Sequence, residues 1–383
     1  MIADALIKFF TSLRLTVALL MLGLVLVFWG TMAQVHLGLY QAQNEFFRSF
    51  VVWWQPRGFS VKLPVFPGGY LLGGLLIINL FAAHFRYYRS SKKKIGIIMI
   101  HLGIVLLLAG QFLTDLLSTE STMHIRAGSS ANYSESSGEY ELAVIDATGK
   151  ASDKVVAIPS HELVEQREIR SGQLPFTIRV NTFYHNSELS DQARPGFTEV
   201  KTTAAIGPGI WWRSRPHETE MQKRDMPSGL VELRTPQGSL GVFLVSSFLA
   251  RPQEFDFQDR HYQLTLRPRR FYKNFSLHLV EFKFDRYPGT EIPKNFSSRV
   301  RLQNPVNGED RELLIYMNNP LRYGGETFYQ ADWDHEDEKG TILQVVHNPG
   351  WLTPYFACLL VGGGLVVQFL THLIGFALKR KTV

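Results

Sequence analysis

The chain has 383 residues, 45% of them hydrophobic, a formal net charge of +6 and one cysteine; by length it could hold two or three soluble domains. Its apolar residues are gathered into four nearly charge-free windows, which excludes a single globular core as the whole architecture, and its basic residues flank those windows, which speaks against nucleic acid as a partner. The lone Cys358 excludes a CxxC thiol reductant and a disulfide-stapled outer domain, and it reads as a small helix-packing residue.

Crossing a hydrocarbon core of about 30 Å takes about 20 mainly apolar residues at about 1.5 Å each. The sequence predicts four transmembrane helices, three N-terminal at about 15–34, 66–86 and 95–117 and one C-terminal within 351–383. The first begins like a secretory signal but ends in Gly30-Thr31-Met32-Ala33-Gln34 without a clear cleavage site, so it is read as a retained helix. The second is the shortest and needs Leu63 to Pro67, or Phe85, to fill its span.

Between the first two helices, an outer loop at 35–65 carries Phe46, Phe47, Phe50, Trp53 and Trp54, followed by Pro56 and Pro64. Such rings favour the membrane interface, and an interfacial helix anchoring the loop in membrane lipid is expected. Arg86, Arg89, Lys92, Lys93 and Lys94 separate the second and third helices, and Lys379, Arg380 and Lys381 follow the fourth. With Lys8 and Arg14 at the start, the positive-inside rule places these stretches in the cytoplasm.

After Ser118 the pattern changes from helical to alternating. Leu264 and Leu266, Leu277 and Leu279, and Phe282 and Phe284 each flank a polar residue, with a slip of phase at Val280-Glu281 of the kind a β-bulge produces. Strands are also expected at Glu141–Ile145, Phe176–Val180, Gly241–Ser246, Leu313–Met317 and Ile342–Val346, with turns at 147–149, 235–238, 288–289 and 307–308. The fold class is membrane α + β: an N-terminal membrane region at 1–118, an extracytoplasmic antiparallel β-rich domain at 119–350, sandwich or open barrel, and a C-terminal helix with a basic tail at 351–383. The stretch 188–230, rich in Pro, Arg and Gly, is its least regular part and reads as a mobile insertion.

Ionisable residues inside a bilayer invite a functional reading, and here they are histidines. His101 follows Lys94 by seven residues and His372 precedes Lys379 by seven, so both are expected about 10 Å inside the cytoplasmic boundary; His84, two residues before Arg86, sits at that boundary. Neutral imidazole ligates haem iron, and the neighbouring cations suit haem propionates. In the outer region His124, His161, His185, His217, His261, His278, His335 and His347 lack H-x-x-x-H and HExxH spacings, so zinc is unsupported. The acidic run Asp332, Asp334, Glu336, Asp337 and Glu338 lacks the spacing of a calcium loop and reads as a solvated turn. Val361-Gly362-Gly363-Gly364 reads as a helix-packing face.

Several motifs then coincide in order. Phe10-Thr11-Ser12-Leu13-Arg14, Gly30-Thr31-Met32-Ala33-Gln34, the stretch Leu266-Arg267-Pro268-Arg269-Arg270-Phe271-Tyr272, Tyr287-Pro288-Gly289-Thr290, and above all Met317-Asn318-Asn319-Pro320-Leu321-Arg322-Tyr323-Gly324-Gly325-Glu326-Thr327-Phe328-Tyr329-Gln330 resemble the ResB family of cytochrome c biogenesis proteins. The resemblance implies a bacterial inner-membrane protein of the system II pathway. Its expected partners are a ResC/CcsA-type membrane protein, haem b and apocytochrome c, whose CxxCH thiols receive the haem. It implies an accessory subunit of a haem lyase complex and not an enzyme by itself. The family's third-helix histidine corresponds to His101, the expected axial ligand of haem iron, with His372 and His84 as further candidates for holding haem; in the family picture the axial mate of His101 comes from the partner. Trp53-Trp54-Gln55 and Trp211-Trp212-Arg213 lack the surroundings of the partner's Trp-rich motif. The alternative expectation is a scaffold that recruits apocytochrome c and binds no haem.

Overall fold

A computed structural model describes residues 2–54, 62–87, 94–149, 152–204, 206–218, 224–290, 293–334 and 339–380. The chain divides into two compact units, Met1–Ser118 with Asn348–Val383, and Thr119–Glu218 with Lys223–His347.

The first unit is helical. It comprises α1 (Ile2–Phe10), α2 (Leu13–Leu37), α3 (Leu39–Ala42), a π-turn at Gln43–Phe47, the hairpin β1 (Val51–Trp54) and β2 (Leu63–Pro67), α4 (Gly69–Tyr87), α5 (Ile95–Leu117) and α6 (Thr353–Arg380). Among the described residues three helices are long and apolar enough to cross a membrane, Leu13–Leu37, Ile95–Leu117 and Thr353–Leu378, whereas Gly69–His84 is a shorter apolar helix.

Three expectations are corrected here. Helix α2 continues to Leu37, where Gly38, at a positive φ of +77° that glycine tolerates, ends it and donates its N–H to Gln34 O. The outer loop is not one interfacial helix: Val51-Val52 and the prolines at 64 and 67 fold it into the β1–β2 hairpin, with Val51 opposite Pro67 and Trp54 opposite Leu63. Residues 66–68 therefore leave the second helix, which starts at Gly69. The short amphipathic α1 was not anticipated.

Helices α5 and α6 approach at backbone distance. A Cβ built on Gly96 would lie 2.7 Å from Gly364 O, one on Gly103 would lie 2.6 Å from Val361 Cγ2, and one on Gly110 would lie 2.5 Å from Thr353 Cγ2. Glycines seven residues apart thus form the seam, the small-residue packing that membrane helices use in place of hydrophobic drive. On the other side, Asn79 of α4, 2% exposed, donates to Phe10 O at 2.7 Å and accepts from Thr16 Oγ1 at 2.6 Å, tying the α1–α2 corner to α4.

The second unit is β throughout apart from a 3-10 turn at Ser160–Glu162, among the described residues. Its strands are β3 (Thr119–Ile125), β4 (Ser130–Asp146), β5 (Lys154–Pro159), β6 (Glu168–Ile169), β7 (Thr177–Tyr184), β8 (Ser187–Ser190), β9 (Thr198–Glu199) and β10 (Trp211–Ser214), then β11 (Ser228–Thr235), β12 (Gly238–Ser246), β13 (Gln253–Phe257), β14 (Arg260–Arg286), β15 (Pro293–Asn304), β16 (Glu309–Tyr316), β17 (Leu321–Tyr323), β18 (Glu326–Trp333) and β19 (Thr341–His347). All pairings are antiparallel, in a ten-stranded sheet whose path runs β16-β15-β14-β4-β3-β19-β18-β17, with β13 on β14 and β5 on β4, and in smaller sheets β12-β11-β7-β6 and β8-β10-β9.

Both expected forms are present. At one end the large sheet packs on the four-stranded sheet as a sandwich, Leu142, Val144, Leu264 and Leu266 meeting Ile178, Val180, Val231 and Leu233. At the other end it curls on itself around Leu277, Leu279, Val300, Ile315, Phe328 and Leu343, and a 2.8 Å bond from Tyr323 Oη to Glu309 links its two terminal strands, which are joined by a turn that the Tyr316–Asn319 bridge closes. Strand β14 belongs to both halves, and its bulge falls between Leu279 and Glu281, where the alternation slips. The stretch 188–230 builds the three-stranded sheet around Trp212, 4% exposed, packed with Val200, Leu230 and Leu244.

Candidate functional site

Of the three membrane histidines, two come together. His84 in the last turn of α4 and His101 in the second turn of α5 face each other with ring centres 6.0 Å apart and planes inclined at 74°. Both are half-buried, and Nδ1 of His101 is shielded from solvent. The local cause is the amphipathic geometry of the helix ends: His84 closes an apolar helix beside Arg86, and His101 sits between Gly96 and Gly103, whose small faces are taken up by α6. Two nitrogen donors in apolar surroundings suit an iron centre, since neutral imidazole needs little desolvation.

His372 is not brought to this pair. It is exposed, and its Nε2 lies 2.7 Å from Gln368 Nε2 on the same helix. The expectation that His101 and His372 share a level is corrected by the α5–α6 register: Gly96 already faces Gly364 and Gln368, and His372 lies eight residues beyond Gly364, about 12 Å along the axis and away from His101. Counting from flanking lysines fails because the antiparallel α6 continues to Arg380, well past the level at which α5 starts. Of the basic residues between α4 and α5, Arg86 and Lys94 are described, while Arg89, Lys92 and Lys93 lie outside the described residues, as does Lys381.

A cavity of about 630 Å³ has walls that include Lys8, Arg14 and Lys94 with Thr11, Ser12 and Thr16; Ala83 of α4 and Ile97 of α5 complete it. Sequence reasoning missed Lys8 and Arg14 as site residues, using them only as topology markers, and it missed Asn79, whose signal was a lone amide in the apolar run 70–83. A larger cavity of about 810 Å³ at the other end of α2 is walled by Trp29, His36, Phe46, Phe50, Trp53 and Trp54. The aromatic cluster of the loop thus forms a pocket wall as well as an exposed surface.

In the β unit the polar side chains serve structure. Lys273 pairs with Glu326 at 2.5 Å with its side chain only 6% exposed, and Arg267 pairs with Glu141 at 3.0 Å. His124 bonds Asp334 at 3.0 Å, so part of the acidic run is a structural partner; Glu336, Asp337 and Glu338 lie outside the described residues, together with His335. Among the described residues no cluster of three His, Cys, Asp or Glu could hold a metal ion. The Asp256 carboxylate holds the His261 pKa above its ordinary value, and Arg213 with Arg215 holds Glu188 below its own.

Comparison with known proteins gives the relationship. Residues 249–342, the stretch from β13 into β19, match the ResB-like family model. The chain is 28% identical over 302 residues to Protein NrfI of Wolinella succinogenes, covering 78% of this chain and 29% of that protein. It is 43% identical over 58 residues to the cytochrome c biogenesis protein CcsB of Prochlorococcus marinus (strain SARG), 15% of this chain and 13% of the relative, and 28% identical over 130 residues to CcsB of Crocosphaera subtropica, 34% and 28%. Each alignment covers less than a third of the relative's length. The likeness to the ResB-like family model is confined to residues 249–342, and the relatives that the chain resembles include cytochrome c biogenesis proteins.

Proposed function

We propose that this chain is the accessory membrane subunit of a cytochrome c maturation complex, handling haem as cargo together with a ResC/CcsA-type partner and supporting its attachment to the CxxCH thiols of apocytochrome c. In this reading α2, α4, α5 and α6 span the bacterial inner membrane, both basic ends lie in the cytoplasm, and residues 119–350 form the extracytoplasmic domain that presents apocytochrome c. Haem brings the iron and the reactive vinyl groups. The chain's own contribution is to receive the iron at His101 Nε2 or Nδ1, to steady it beside His84, and to keep the site dry.

The observation that carries the reading is the His84–His101 pair at 6.0 Å, formed by two helices that are apolar over most of their length. Ionisable side chains within a bilayer are rare and mark functional sites, and here two of them face each other. Purification of the chain with its partner and recording of the haem absorption band tests it. The expected result is a band reduced severalfold in the His101→Ala complex and a smaller reduction for His84→Ala; an undiminished band in the His101→Ala complex refutes the ligand assignment and favours the scaffold.

A further inference from the structure

We infer that the cavity of about 810 Å³ at the C-terminal end of α2 is a second station for a metalloporphyrin on this chain, with His36 as the ligand of the metal and Trp53 and Trp54 as walls for the macrocycle. The inference rests on the proposed function for the identity of the cargo, and it adds a site at the far end of the membrane unit from His84 and His101.

Three observations support it. First, an unengaged imidazole is part of the wall itself. His36 lines the cavity and is exposed, and its ring makes no hydrogen bond, ion pair or ring contact among the described residues. A neutral imidazole with both nitrogens free is a donor that porphyrin iron takes.

Second, the apolar walls are open. Trp53 and Trp54 are each 54% exposed, and neither indole has a ring contact or a hydrogen bond among the described residues. Trp29 and Phe46 of the same wall, by contrast, are packed on each other with ring centres 5.4 Å apart. Large aromatic surfaces left open around a cavity mark a ligand site, and a flat conjugated ring system is a ligand that stacks on them.

Third, the polar fittings suit the edge of such a ligand. Lys62 lines the cavity without an ion pair among the described residues, whereas the acid in the wall, Glu45, is engaged within its own turn by Gln41 Nε2 at 2.8 Å. A free ammonium beside an apolar cavity is the partner of one carboxylate. A metalloporphyrin uses imidazole, indoles and ammonium together; a lipid chain would use the indoles alone.

The position separates this cavity from the histidine pair. The Thr16–Asn79 bond fixes the start of α2 against α4 five residues before His84, and His36 follows Thr16 by twenty residues, about 30 Å along the helix axis. In the proposed orientation His36 therefore stands at the outer end.

The test uses the full chain carrying His84→Ala/His101→Ala in nanodiscs of phosphatidylcholine, titrated with haemin and with metal-free protoporphyrin and read by absorption. Haemin binding is expected to persist and to weaken about tenfold when His36→Ala is added. His36→Met should keep binding with a displaced absorption band, because the axial ligand has changed. Metal-free protoporphyrin should bind more weakly and be indifferent to His36→Ala, and Lys62→Gln should weaken haemin severalfold; circular dichroism confirms that each variant is folded. Haemin binding that vanishes with His84→Ala/His101→Ala, or that persists and ignores His36→Ala, overturns the outer station and leaves the proposed function standing. Binding that depends on His36 while His101→Ala alone costs nothing overturns the ligand assignment of the proposed function and supports the outer station. Failure of the wild-type chain to bind haemin overturns both. Equal affinity for haemin and metal-free protoporphyrin assigns the cavity to apolar amphiphiles in general and overturns the inference.

Discussion

Gly96 and Gly364 face each other so closely that a methyl group on Gly364 would stand 2.7 Å from the Gly96 carbonyl oxygen and 2.9 Å from the backbone nitrogen of Ile100. The obstacles are backbone atoms, which cannot rotate aside. Gly364→Leu should therefore separate α5 from α6 and lower stability by about 2 kcal/mol or more, the cost of overpacking a fitted interface. Gly362→Ala, two residues away with open space around it, should be neutral. Thermal unfolding of the two variants in the same detergent decides the matter.

Asn79→Leu should loosen the α1–α2 corner. It removes the bonds to Phe10 O and Thr16 Oγ1, and interhelical hydrogen bonds in membranes contribute about 0.5–2 kcal/mol. Limited proteolysis should cut the N-terminal segment faster in the variant, while cleavage in the β unit keeps its rate.

The Lys273–Glu326 pair predicts a non-additive result. Lys273→Met leaves Glu326, 16% exposed, without its 2.5 Å partner, and breaking a buried pair costs about 3–5 kcal/mol. The double variant Lys273→Met/Glu326→Leu should recover most of this loss, because neither charge then remains to be solvated. Thermal midpoints of the four proteins form the cycle.

Acid should destabilise the β unit below the ordinary carboxylate range. Hydrogen bonds hold Glu188 (from Arg213 and Arg215), Asp146 (from Thr148), Glu309 (from Tyr323) and Asp310 (from Arg301) below their usual pKa values. Depressed folded-state values stabilise above the unfolded pKa and lose that contribution as pH falls through the folded one. The contribution of these carboxylates should thus be full at about pH 5 and above and decline below about 4. His261 has the opposite sign: raised by Asp256, its contribution is full below about 6.5 and fades as pH rises past the folded value. His261→Gln should flatten the slope between about pH 6 and 8, read by the same melts.

Much of the β unit was legible in the sequence because its signals are local. The slip at Val280-Glu281 marks a bulge observed between Leu279 and Glu281, and the turns at 235–238 and 307–308 sit where glycine follows a strand run. The β1–β2 hairpin was not legible, since Trp53 and Trp54 suit an interface as well as a strand, and only the pairing of Val51 with Pro67 decides between them. The site was half legible. Histidines in apolar helices stand out singly, but which of them meet depends on the height at which Gly96 locks onto Gly364, a tertiary register with no trace in the flanking charges.

Strand β14, at 27 residues, threads from the sandwich into the curled half of its sheet. The two halves thus share one backbone, whose register against β4 shifts between Pro268 and Arg270 and between Tyr272 and Leu277 as it passes from one to the other. Evolution or a protein engineer could exchange loops at the rim, but neither half can be lifted out as a cassette, and any fragment that severs this ribbon would leave two raw edges open to aggregation.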